Sequence, residues 1–232
     1  MNNLEYSRDS QHELAVQRFM VKVYGWMALA LMVTGFVSLL VVSSQALLEF
    51  IYGSLYVFYG LVIVELLMVG YLAGWVRTMS ASTATLVFFL YACVNGLTLS
   101  FIFLIYTTGS IASTFFISAG TFAVMSIYGY TTKSDLSKWG NILFMGLIGI
   151  IIASIANIFM QSSALYWITT YVGVLVFVGL TAYDTQRIKE SAVIGTDDAE
   201  EESKAAVMGA LTLYLDFINL FLKLLRIFGR RK

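Results

Sequence analysis

The chain has 232 residues, of which 59% are hydrophobic and 12% are charged, and its formal net charge is zero. Ordinary soluble domains carry about 25% charged residues, so this composition excludes a water-soluble globular protein. The balanced charge gives no reason to expect a nucleic-acid partner. The composition therefore predicts a protein that lies in the lipid bilayer as helices, because helices satisfy their own backbone hydrogen bonds there.

Charged residues are so sparse that the spans follow from the gaps between them. Residues 78–132 contain no charged residue, although ~20 residues are enough to cross a bilayer once. That stretch must hold two helices, separated at the polar turn residues 107–110. The same reasoning divides residues 139–183 at Gln161. Because the apolar stretches are continuous rather than alternating, a membrane β-barrel is a poor alternative.

The predicted architecture is all-α and polytopic, with a polar leader and one transmembrane domain of seven helices. The leader covers residues 1–22 and the domain covers residues 23–232. The approximate spans are 23–43, 50–75, 81–106, 111–130, 139–160, 164–184 and 205–228.

Lysine and arginine predict the orientation. A cytoplasmic amino terminus places these residues on the inner side of the first six spans, in accord with the positive-inside rule. Arg230, Arg231 and Lys232 conflict with that rule. The last segment therefore either crosses against the rule or turns back as a re-entrant helix.

Small residues at four-residue spacing indicate where helices pack closely. Ala92, Gly96 and Ser100 form one such series, and Gly149 and Ala153 form another. Ordinary packing of membrane helices is a sufficient explanation for both.

Acidic residues within the spans are the candidate functional groups. Each costs ~2.5 to 3.5 kcal/mol on insertion scales, so a functional role is the default hypothesis. Glu65, Asp184 and Asp216 qualify. Three- and four-residue steps place a set of polar residues on one face of the last segment, as in a central or pathway-lining helix. The set is Gly209, Thr212, Asp216, Asn219, Lys223 and Arg226. The alternative is an internal ion pair, Asp216 with Lys223 or with another basic residue, that only fixes packing.

Asp184 and Asp216 are predicted to approach one another. Asp184 ends the sixth span, and a hairpin returns the chain toward Asp216 in the seventh. Two close carboxylates resist ionising together and tend to share a proton, which would make a pH-sensitive latch. Carboxylate oxygens are also ligands that Ca²⁺ prefers, so the pair is a candidate for transient Ca²⁺ contact.

The segment between these aspartates, GTDDAEEES, is acidic but is not a calcium-binding loop. Asp197, Asp198 and residues 200–202 lack the alternating spacing and central glycine of an EF-hand. A solvated loop is the simpler interpretation. The functional alternative is that these acidic residues weakly concentrate cations near a pore mouth.

Four stretches of the sequence resemble one protein family. They are VYGWMALALM in the first span, IYGYTTKSDLSKWGNILFMGLIGIIIAS around the fourth and fifth, LTAYDTQRIK in the sixth and GALTLYLDFINLFLKLLRIFG in the seventh. Together they are similar to the transmembrane Bax inhibitor motif family (Bax inhibitor-1-like), in its bacterial inner-membrane members. The resemblance implies a seven-helix fold whose last helix is surrounded by the other six, and a pH-sensitive calcium leak activity.

The resemblance also implies roles for individual residues. Asp184 and Asp216 match the aspartates whose pairing controls opening, and Arg77 is the candidate for the helix-two arginine that interacts with Asp184. Glu65, Asn219 and Lys223 are lesser candidates. No cofactor and no enzymatic activity are expected, with Ca²⁺ as the permeant ion and protons as the signal. Because bacterial members are said to associate with a membrane-bound protease, the alternative function is regulation of such a complex.

Two further functions fit the sequence poorly. A retinal photoreceptor would use a lysine in the last helix, but the third span carries no carboxylate to accompany Lys223. An intramembrane hydrolase would need a Ser/His pair or a metal cluster, and the single histidine, His12, lies in the leader.

Overall fold

The computed structural model describes residues 3–192 and 199–232, with side chains from residue 11 onward in these ranges. The described residues are almost entirely helical. The helices are α1 (Asn3–Ser43), α2 (Gln45–Tyr52), α3 (Leu55–Trp75), α4 (Ala81–Leu99), α5 (Ile102–Ile105), α6 (Thr108–Thr131), α7 (Ser137–Met160), α8 (Ser163–Glu190) and α9 (Ala199–Phe228). A short 3-10 helix, Val76–Thr78, follows α3. Extended pairing in this part of the chain consists of one isolated antiparallel bridge between Tyr106 and Arg231.

Seven helical segments of the described chain are long and apolar enough to cross a membrane. The predicted all-α, seven-span membrane architecture is thereby confirmed. In the most apolar stretch of the seventh span, α9, 67% of the residues are buried, compared with 6% for the corresponding stretches of α3 and of α7. The 30 residues of α9 extend about 45 Å, which is long enough to cross a bilayer completely.

Two helix boundaries differ from the approximate spans. The second long helix begins at Leu55, because Gly53 and Ser54 separate it from the short helix α2. The first helix extends back through the polar leader to Asn3. Its described leader residues have an amphipathic pattern, with Val16, Phe19, Met20 and Val23 buried at three- and four-residue spacing.

Close contacts divide the chain into two compact units, as far as their residues are described. Unit 1 comprises Met1–Leu104 and Ile188–Tyr214, and unit 2 comprises Ile105–Arg187 and Leu215–Lys232. The helix α9 therefore contributes its first half to unit 1 and its second half to unit 2.

In unit 1, α1 and α4 approach each other at Gly96. A Cβ atom on Gly96 would lie 2.7 Å from the carbonyl oxygen of Thr34, so only glycine permits this approach. Ser38 Oγ donates a hydrogen bond of 2.8 Å to the Gly96 carbonyl. The prediction of a close contact at Gly96 is therefore confirmed. The corresponding expectation at Gly149 is wrong, because a Cβ atom there would meet nothing within 4 Å.

In unit 2, α8 packs closely against both α6 and α7. A Cβ atom on Gly129 of α6 would collide with the backbone carbonyl of Ala182, and one on Gly140 of α7 would collide with the Tyr183 ring. These contacts fix the part of α8 that immediately precedes Asp184.

The loop between α6 and α7 is held by Asp135. Its Oδ1 accepts a hydrogen bond of 2.8 Å from the Ser137 backbone N–H at the start of α7. This hydrogen bond stabilises the carboxylate and lowers the pKa of Asp135 below its usual value. Asp135 therefore satisfies the backbone N–H of the first residue of α7, which has no partner within the helix.

We expect Gly129→Ala to destabilise the protein, because its methyl group must displace a backbone carbonyl rather than a flexible side chain. Overpacking of this kind costs about 1–3 kcal/mol. Gly120→Ala is the matched control in the same helix, since a Cβ atom there meets nothing within 4 Å. Thermal unfolding in one detergent compares the two variants. Equal melting temperatures for Gly129→Ala and the wild type would contradict the close contact.

Candidate functional site

Asp184 and Asp216 lie together in unit 2. Asp184 is on α8 and is 8% exposed, and Asp216 is on α9 and is 5% exposed. Their side chains are hydrogen-bonded to one another. Since an ionised carboxylate can only accept hydrogen bonds, this bond requires a proton on one of the two groups. The structure therefore brings the two acids together, as predicted, while the shared proton and the role of the pair in gating stay predictions.

Contacts on both sides of Asp184 position its carboxyl group. Two residues before it, Ala182 lies against Gly129. Two residues after it, the Gln186 side chain accepts a hydrogen bond of 2.8 Å from the Leu136 N–H and donates one of 2.9 Å to the Ser134 carbonyl. Gln186 thus ties α8 to the α6–α7 loop, a role that the sequence pattern did not indicate.

The residue that follows Asp216 on α9 packs among aromatic rings. The ring of the adjacent Phe217 packs edge-to-face 5.4 Å from Phe115 and 5.5 Å from Phe122, both on α6. Asp216 Oδ2 is buried and has no hydrogen-bond partner among the described residues. Because apolar side chains screen charge poorly, a second carboxylate charge in this position would be strongly repelled by the first.

Arg187 is a charged neighbour of Asp184, and the sequence pattern did not single it out as one. It follows Asp184 by three residues on α8, and its positive charge attracts the Asp184 carboxylate. The three-residue spacing was the available signal, since residues three apart lie on neighbouring positions of a helix surface.

Arg77, the predicted partner of Asp184, belongs to unit 1. It lies exposed in the 3-10 helix after α3, and its backbone carbonyl accepts a hydrogen bond of 3.4 Å from Lys204 Nζ. Its interaction with Asp184 stays a prediction.

Asn219 and Lys223 make packing contacts in unit 2. Asn219 Nδ2 donates a hydrogen bond of 2.8 Å to the Leu215 carbonyl of the same helix. The Lys223 stem lies along Gly173 of α8, where a Cβ atom would be 2.8 Å from Lys223 Cε. No ion pair joins Lys223 to Asp216 within residues 199–232. The alternative prediction of an ion pair between Asp216 and Lys223 is therefore wrong for this structure.

Glu65 belongs to a polar network within unit 1. It accepts a short hydrogen bond from Thr98 Oγ1. One turn away, Asn95 Oδ1 accepts a hydrogen bond of 3.2 Å from the Tyr214 hydroxyl, which lies 2.7 Å from Thr34 Oγ1. The sequence did not reveal this network, because its members come from four helices and are far apart along the chain.

The acidic segment before α9 is described only in part, and Asp197 and Asp198 lie outside the described residues. The acids that open α9 make ion pairs: Glu202 Oε1 lies 3.5 Å from Lys22 Nζ, and Glu201 Oε1 lies 2.6 Å from Lys204 Nζ. The described part of the chain contains no group of three His, Cys, Asp or Glu side chains that could hold a metal ion. A cation at the Asp184–Asp216 pair would therefore need water or backbone oxygens to complete its shell.

The fold and the site together define a helical membrane protein with a buried carboxylate pair. The chain matches the family model described as "Inhibitor of apoptosis-promoting Bax1" over residues 16–232, and it belongs to this Bax inhibitor-1-like family. It is 51% identical over 223 residues to inner membrane protein YbhL of Escherichia coli (strain K12), covering 96% of this chain and 95% of YbhL. An uncharacterized protein of Borreliella burgdorferi is 42% identical over 229 residues, with 99% of each chain covered. Another from Rickettsia prowazekii is 42% identical over 230 residues, covering 97% of this chain and 95% of the relative.

We expect Asp216→Asn to make stability less sensitive to alkaline pH. The asparagine can still hydrogen-bond to Asp184, but the pair then contains one ionisable group. In the wild type, raising the pH removes the shared proton, and two carboxylates then repel each other inside an apolar unit. Wild-type stability should fall by on the order of 1 kcal/mol per pH unit over the range in which the unfolded chain has lost this proton and the folded pair still holds it.

The measurement is the melting temperature in detergent from acidic to alkaline pH. Asp135→Asn is the control, because it removes one acid from the exposed loop and leaves the pair intact. If the melting temperatures of the wild type and Asp216→Asn change with pH in parallel, the pair does not lose a proton in the pH range that is measured.

Proposed function

We propose that the protein is a pH-sensitive calcium leak channel whose opening is controlled by the Asp184–Asp216 pair. The observation that carries this proposal is the hydrogen bond between two buried carboxyl groups on different helices. A bond of this kind exists only while the pair holds a proton, so protonation is linked to the contact between α8 and α9. Membership of the Bax inhibitor-1-like family supports the same activity.

The same two groups are proposed to meet the permeating ion. When both carboxyls are ionised, they offer oxygen ligands of the type that Ca²⁺ prefers, but two side chains alone make a weak and transient site. Weak binding suits a leak, because an ion that enters the pathway must also leave it. Protons and Ca²⁺ would therefore compete for one pair of residues.

The proposed activity is passive transport rather than catalysis, and it needs no cofactor. The sequence supports this, since its single histidine, His12, precedes the predicted spans and cannot serve a buried serine as a base. Lesser roles in the pathway are proposed for Glu65, Asn219 and Lys223. Arg77 is proposed as an electrostatic partner of Asp184 in one state of the gate.

The proposed location is the bacterial inner membrane, with a cytoplasmic amino terminus. The location follows the name of the relative YbhL, an inner membrane protein. The orientation follows the lysines and arginines of the early loops, which dominate the positive-inside rule.

Calcium flux from proteoliposomes tests the proposal. Wild-type protein is expected to give a flux that changes between acidic and neutral pH, by at most about tenfold per pH unit if one proton is linked. Asp184→Asn combined with Asp216→Asn should remove most of that pH dependence, because neither amide titrates. Asp135→Asn is the matched control, since it removes an acid outside the pair and should keep the wild-type profile.

Equal flux from the wild type and the double asparagine variant at both pH values would contradict the gating role. The alternative function, regulation of a membrane-bound protease complex, predicts a different outcome. It would be favoured by copurification of a protease from native membranes together with no flux in proteoliposomes.

A further inference from the structure

The carboxyl-terminal end of unit 2 carries a cluster of basic residues. It consists of Arg226 in the last turn of α9 and of Arg230, Arg231 and Lys232 after the helix. The side chains of Arg226, Arg230 and Arg231 are exposed. The acidic residues of unit 2 are Asp135, Asp184 and Asp216, and none is at this end. Asp184 and Asp216 bond to each other, and Asp135 lies beyond the far end of α6, about 36 Å along a helix of 24 residues.

The residues after α9 are held in place by their backbone. The Thr107 N–H donates a hydrogen bond of 2.9 Å to the Arg230 carbonyl, and the Lys232 N–H donates one of 2.9 Å to the Ile105 carbonyl. Between them, Tyr106 and Arg231 form an antiparallel bridge. The tail is therefore fixed along residues 105–107 by main-chain contacts, and these contacts do not use the side chains of Arg230 and Arg231.

Aromatic side chains near this end mark the level of the membrane interface. Arg226 lies over the Tyr166 ring, 5.2 Å from its centroid, close to the start of α8. The next turn of α8 presents Trp167 and Tyr171 as a stacked pair, 41% and 55% exposed. Exposed tryptophan and tyrosine at a helix end are typical of the headgroup region, where the ring lies in the apolar part and its polar atom meets water. The basic cluster thus lies at the end of a candidate membrane span, beside residues that are typical of the headgroup region.

We propose that Arg226, Arg230 and Arg231 form a binding site for the phosphate of an anionic phospholipid headgroup. Guanidinium groups present paired donors that match phosphate oxygens, and Arg226 is oriented by its stacking on Tyr166. A lipid is favoured over a soluble ligand because the site lies beside lipid-facing aromatic residues. The site also gives a physical reason for basic residues at a helix end where the positive-inside rule disfavours them.

Native mass spectrometry in micelles that contain equal amounts of phosphatidylglycerol and phosphatidylcholine tests the site. Wild-type protein is expected to retain phosphatidylglycerol in preference. Arg230→Gln combined with Arg231→Gln should weaken that preference roughly tenfold or more, since each basic residue near an anionic membrane surface contributes separately. The backbone bonds of the tail do not depend on these side chains, so the variant should keep its fold. Lys133→Gln with Lys138→Gln is the matched control, because it removes two exposed cations at the opposite end of unit 2.

Several outcomes would overturn the proposal. Equal enrichment of phosphatidylglycerol on the wild type and the Arg230/Arg231 glutamine variant would exclude these residues as ligands. An equal loss in the Lys133/Lys138 control would show that any surface cation suffices. Arg230→Lys with Arg231→Lys keeps the charge but loses the paired donors, so its enrichment should lie between those of the wild type and the glutamine variant. Enrichment equal to that of the wild type would contradict recognition by paired guanidinium donors. Displacement of the lipid by excess inorganic phosphate would assign the site to a soluble anion instead.

Discussion

The contact between the buried carboxyl groups of Asp184 and Asp216 is the interaction on which the rest of the site depends. Two buried carboxyl groups bond to each other only while one of them is protonated, and they repel each other once both are ionised. The surroundings make this difference large. The two residues are only 8% and 5% exposed, so a second charge finds little screening by water. In the proposed function, the contact between α8 and α9 in unit 2 therefore depends on the protonation of this pair.

The neighbours of Asp184 fix its position without neutralising the pair. Gln186 bonds to the backbone of Ser134 and Leu136, and Arg187 is placed where it attracts the Asp184 carboxylate. Asp216 has an oxygen with no partner among the described residues. The pair is thus asymmetric, with one acid held by charge and packing and the other held mainly by its hydrogen bond to the first.

The fold was largely predictable because the bilayer restricts the choice of structure. Stretches without charged residues, such as residues 78–132, are longer than one crossing of the bilayer. A segment that spans lipid as a continuous apolar stretch must be helical, because a helix satisfies its own backbone hydrogen bonds. The number and type of spans therefore followed from the sequence. The proximity of Asp184 and Asp216 also followed, since a hairpin returns the chain from the helix of Asp184 to that of Asp216. Side-chain contacts such as Gln186 with Leu136, or Tyr214 with Asn95, could not be predicted, because they depend on which helices become neighbours. The same limit explains why Gly129 and Gly149 look alike in sequence but only Gly129 meets another backbone.

The contact of Gly129 with the Ala182 carbonyl restricts how this unit can move. Side chains that interdigitate can change rotamer and let helices slide, but two main chains in direct contact have no such freedom. We therefore infer that α6 and α8 shift together as one block. Any displacement that separates the two acids must then come from the second half of α9, which is joined to α6 through aromatic edges and to α8 through the flexible stem of Lys223. In the proposed gate, the second half of α9 is accordingly the part that would move, and its contacts with α6 are edge-to-face rings.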